Sequence, residues 1–88
     1  MFSQKIYAEI ARVTQQALDQ VHSEITIEQV RIILESVQLS SRNVTGYDAE
    51  LRTAIARLWE LARAENQPQL TNALETLMHE MDHERPPN

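Results

Sequence analysis

His79-Glu80-Met81-Asp82-His83 spells H-E-x-x-H. On a helix this spacing sets two imidazoles one turn apart, where they can share a zinc ion, and leaves the glutamate to activate a metal-bound water. Hydrolysis by such a site needs both histidines and the glutamate turned into a cleft, and a third ligand from elsewhere. Leu70, Leu74, Leu77 and Met81 define the apolar side of the same segment. At 100° per residue, His79 and His83 fall about 170° and 150° from that direction. They are expected to face solvent. The only other histidine, His22, belongs to a different helical segment, and only Glu84 to Asn88 follow. The pattern therefore reads as the polar face of a helix. What survives is surface chelation, in which His79 and His83 hold zinc or nickel near Glu75 and Asp82, with a second pair supplied by a second copy.

Other chemistry is less well provided. The 88 residues contain no cysteine, which removes disulfides, thiolate metal sites and thiol nucleophiles, and their single glycine is too little for a phosphate-cradling loop. Ser40 and Ser41 lack a context that activates serine, and the carboxylates sit on polar helix faces. No catalytic activity and no cofactor are expected. The formal charge is −5. Without a basic block it disfavours nucleic acid, whose binding rests on phosphate neutralisation. Residues 1–13 hold no apolar signal core and no segment approaches the ~20 apolar residues of a membrane span, so a soluble cytoplasmic protein is expected.

Periodicity places these residues on four amphipathic helices. Phe2, Ile6, Ile10, Val13, Ala17 and Val21 form a stripe over about residues 2–21. In ITIEQV, Thr26 is the predicted N-cap of a helix starting at Ile27, with Gln29 closing a capping box and Ile25 stapled onto Val30. Val30, Leu34 and Val37 continue its buried line, broadened by Ile33. Leu51, Ile55, Leu58 and Ala62 mark a third helix, started near Gly46 by Thr45 with Asp48, after a turn at 41–44. Pro68 fits the first turn of the fourth, where its missing N–H costs nothing. The expectation is an all-α compact bundle, one domain over residues 1–84 with a short disordered tail at 85–88. A first helix of ~20 residues would run ~30 Å, nearly the width of so small a domain, and its excess stripe predicts a homodimer.

Residues 26–51 resemble a helix-turn-helix: an apolar helix, a turn at Gln38-Leu39-Ser40, and Ser41-Arg42-Asn43 where a recognition helix presents its first residues. The resemblance implies DNA contacts through Arg31, Arg42 and Asn43. It departs from the motif in having Gln38 where the turn usually has glycine and Leu34 where a small residue packs, and Glu24, Glu28 and Glu35 would repel a phosphate backbone. Trp59 lies at the edge of the third stripe beside Arg52 and Arg63, a combination enriched in protein interfaces. The leading expectation is a small acidic protein-interaction module, an adaptor or regulator, meeting its partner through Arg52, Trp59 and Arg63. A DNA-binding regulator and a surface zinc-binding protein are the alternatives.

Overall fold

The helical reading is met by the computed structural model, which describes residues 2–41 and 48–84. Four helices follow in order: α1 (Gln4–Ala17), α2 (Glu24–Ser41), α3 (Asp48–Ala64) and α4 (Pro68–Glu84), with no strand among the described residues. They pack as a ring in which each helix touches its two neighbours while the diagonal pairs α1/α3 and α2/α4 stay apart. Cross-helix bonds fix the directions. Arg52 reaches Asp82 and Trp59 reaches Glu75, so α3 and α4 are antiparallel; Gln29 reaches the Ala54 carbonyl and Thr26 reaches Glu65, so α2 and α3 are too. The Cα radius of gyration, 12.2 Å, matches the ~12 Å of a compact domain of this length. None of these helices is long and apolar enough to cross a membrane.

The predicted stripes of α1, α3 and α4 meet in one core. Ile10, Ile33, Leu51, Ile55, Leu58, Leu74 and Met81 lose all exposure there. Pro68 opens α4 as expected, and α3 ends in a Schellman turn: Asn66 takes φ 58°, its N–H bonds the Arg63 carbonyl, and the Gln67 N–H bonds the Ala62 carbonyl. Asparagine tolerates this left-handed conformation better than most residues.

Helix α1 is shorter than its stripe. It has 14 residues, about 21 Å, and the chain tightens into a turn at 18–20 before α2. The cause lies outside the segment: Gln67 donates its side-chain amide to the Gln20 carbonyl at 2.6 Å, and Glu65 receives the His22 N–H at 3.0 Å. Phe2, Ile6, Ile10, Val13, Ala17 and Val21 are all buried within one chain. The length argument for a homodimer is thereby removed.

Helix α2 departs at both ends. It begins at Glu24, not Ile27, with the Ile27 N–H bonded to the Ser23 carbonyl. Thr26 is a buried first-turn residue and no N-cap, because Glu65 supplies the carboxylate that caps this end. Ile25 points outward at 63% exposure, so no staple onto Val30 forms. At the other end residues 38–40, predicted as the helix-turn-helix turn, are helical through Ser41. Without glycine or proline there, nothing in the backbone interrupts the helix. The predicted turn at 41–44, the Thr45–Gly46 helix start, Arg42, Asn43 and the 85–88 tail lie at least partly outside the described residues.

Candidate interaction surfaces

Several polar side chains are engaged in holding helices together. Asp48, the first residue of α3, accepts the Phe2 N–H at 2.8 Å and the Tyr7 hydroxyl at 2.7 Å. Burial, followed by the hydrogen bond and charge of Asp48, pushes Tyr7 up to about 12. Glu84, the last residue of α4, accepts both the Ser3 N–H at 2.6 Å and the Ser3 hydroxyl at 3.0 Å, while Ser3 Oγ caps α1 by accepting the Ile6 N–H. The negative charge thus stands at the positive end of α1. Glu65 does the same for α2: the Thr26 hydroxyl, then the His22 and Ser23 N–H groups, hold its carboxyl below the usual range.

Arg52, Trp59 and Arg63 fall, as spaced, on one flank of α3, and that flank faces α4. Arg52 forms a bidentate pair with Asp82 at 2.8 and 2.9 Å, the Trp59 indole N–H donates to Glu75 at 3.1 Å, and the Arg63 guanidinium lies 5.4 Å from the Trp59 ring centre. Positions 52 and 82, like 59 and 75, are facing rungs of one antiparallel seam. The three residues share one flank, half-exposed or exposed, with Arg52 and the Trp59 N–H already partnered across the seam and Arg63 lying over the indole. Arg31 is exposed on α2, 3.8 Å from Glu28.

His79 and His83 stand exposed on α4, as their helical phase required. With Lys5, Ile6, Glu80 and Glu84 they line an open cleft of about 480 Å³ between α4 and the start of α1. The rings lie stacked, centroids 6.3 Å apart and 19° between planes. Two ligand nitrogens at ~2.0–2.1 Å from one zinc must instead converge on it. Among the described residues no three histidine, aspartate or glutamate side chains are grouped to hold a metal. Stoichiometric zinc is expected to leave the thermal midpoint unchanged in both the native chain and His83→Ala. Zinc-dependent stabilisation lost in His83→Ala, read by thermal unfolding with and without chelator, would instead identify these histidines as ligands.

The sequence reading missed a feature of α2. Ile25 and Ile32, at 63% and 45% exposure, are its large aliphatics left in water, and Leu39 continues their line half-buried. The seven-residue spacing of 25, 32 and 39 on the side away from Val30, Ile33 and Val37 was the available signal. Leu18, just beyond α1, is the other exposed large aliphatic among the described residues. Glu24, Glu28 and Glu35 are exposed along the same helix. No protein-family description, curated protein or solved structure matches the chain.

Proposed function

We propose that this protein is a non-catalytic interaction module that docks a partner protein on the outer face of α2. The observation that carries the reading is the exposed pair Ile25 and Ile32, one heptad apart on a helix that, among the described helices, packs on α1 and α3. Fully burying an isoleucine is worth ~1.5–3 kcal/mol, and with 63% and 45% of their surface still in water the two together offer a partner roughly that much. The first helix offers no comparable driving force, since its stripe is spent within the chain. The Arg52–Trp59–Arg63 seam is a secondary surface, because partner contacts there must compete with Asp82 and Glu75. Native capture with the tagged full-length protein from its own cells tests this. The wild-type chain is expected to retain a discrete protein that Ile25→Ser/Ile32→Ser releases and Arg52→Ala/Arg63→Ala keeps, with helix content equal by circular dichroism. Identical retention by the isoleucine variant, or none by the wild type, overturns the reading.

A further inference from the structure

Resting on the α2 reading, we infer that the occupant of this face is a cationic amphipathic helix, one with an aliphatic line flanked by lysine or arginine, and not a second copy of this chain. The shape comes from the stripe. Ile25, Ile32 and Leu39 span about 21 Å of helix at 1.5 Å per residue, and seven-residue spacing on one helix is complemented by a second helix crossing at a shallow angle.

The charge comes from one flank. At 100° per residue, Glu28, Glu35 and Glu24 lie about 40°, 60° and 80° around the helix from the stripe, all on the same side. All three are exposed, and Arg31 beyond them leans back toward Glu28 at 3.8 Å. The opposite flank is closed by α3, where Gln29 reaches the Ala54 carbonyl. An arriving helix therefore meets aliphatic side chains bordered by a row of carboxylates.

That asymmetry disfavours a second copy. When two copies of a helix pair antiparallel, the same flank of each meets itself, so three glutamates would face three glutamates between chains of net charge −5. A parallel copy sets the row against the partner's α3 flank, whose exposed Glu50 and Arg57 offer no net positive charge. Lysine or arginine beside the partner's aliphatic line relieves the repulsion and adds steering.

Two fluorescein-labelled helical peptides of about 18 residues, sharing one isoleucine line and flanked by either lysine or glutamate, test the inference by anisotropy against the full chain. The lysine peptide is expected to bind at least about tenfold tighter in about 50 mM salt, with the preference shrinking in about 500 mM. Ile25→Ser/Ile32→Ser should abolish binding, and Glu24→Lys/Glu28→Lys/Glu35→Lys should invert the preference while helix content holds. Equal affinity for both peptides overturns the cationic partner. So does a dimer by light scattering that Ile32→Asp dissolves, although that result leaves the α2 docking face standing. Failure of both peptides while native capture still depends on Ile25 and Ile32 defeats the partner chemistry alone; failure of both experiments defeats the underlying reading as well.

Discussion

Asp48→Ala is expected to lower unfolding stability by about 3 kcal/mol, since hydrogen bonds to a charged group contribute ~1.5–3 kcal/mol each and two are removed. The Phe2 N–H and the Tyr7 hydroxyl both lose their acceptor, and the tyrosine is 2% exposed, so water does not readily replace it. For a domain of this length, with ~4–13 kcal/mol in total, that is a large share. Asp48→Asn, which keeps an acceptor, should lose less. Burial of the phenol, reinforced by this contact, sets an alkaline limit. Tyr7 titrates near 12 in the folded chain against 10.0 ordinarily, so the folded state holds the proton more tightly. Its contribution is complete below pH 10 and is lost as pH rises through 12, a change of roughly 2–3 kcal/mol. Urea unfolding at stepped pH should show that loss in the wild type and its absence in Tyr7→Phe. An equal alkaline slope in both would mean that Tyr7 is not the group that sets this limit.

The second large effect is at Glu65. Glu65→Ala strips the acceptor from the His22 and Ser23 N–H groups and the Thr26 hydroxyl at the start of α2, with an expected cost of about 2–3 kcal/mol. Here the folded carboxyl lies below its ordinary 4.5, so the stabilisation is present above that pH and is lost as pH falls through the lower folded value. Glu65→Gln should lose part of the stability at neutral pH and flatten this acid limb. If Glu65→Ala unfolds at the wild-type urea midpoint, the cap is not what starts α2.

These two carboxylates also show what was legible in the sequence and what was not. Helical periodicity located the buried faces of α1, α3 and α4, because 3.6-residue spacing is a local property; Pro68 marked its helix start for the same reason. The solvent-facing placement of His79 and His83 followed from that phase alone. Helix ends were harder. Thr26 looked like an N-cap because local capping rules look only a few residues away, whereas the actual cap, Glu65, is 39 positions along the chain. Gln67 stops α1 over a similar distance. Both corrections come from tertiary hydrogen bonds that no local window contains. Arg52, Trp59 and Arg63 share a flank of α3 by spacing, but the engagement of Arg52 by Asp82 and of Trp59 by Glu75 depended on the register of α4 against α3. Ile25 was assigned inward because it precedes an assumed cap; moving the helix start three residues earlier turned it outward and exposed the line that it forms with Ile32.

The central claim, that α2 meets a partner through this line, is tested most directly by photo-crosslinking in the cells that make the protein. A photoreactive phenylalanine analogue is placed at position 32 in one strain and at position 16, an exposed site on α1, in another. A discrete heavier adduct from position 32 and none from position 16 is the expected result. Adducts from position 16 alone, or from neither position with the protein expressed and folded, would contradict it.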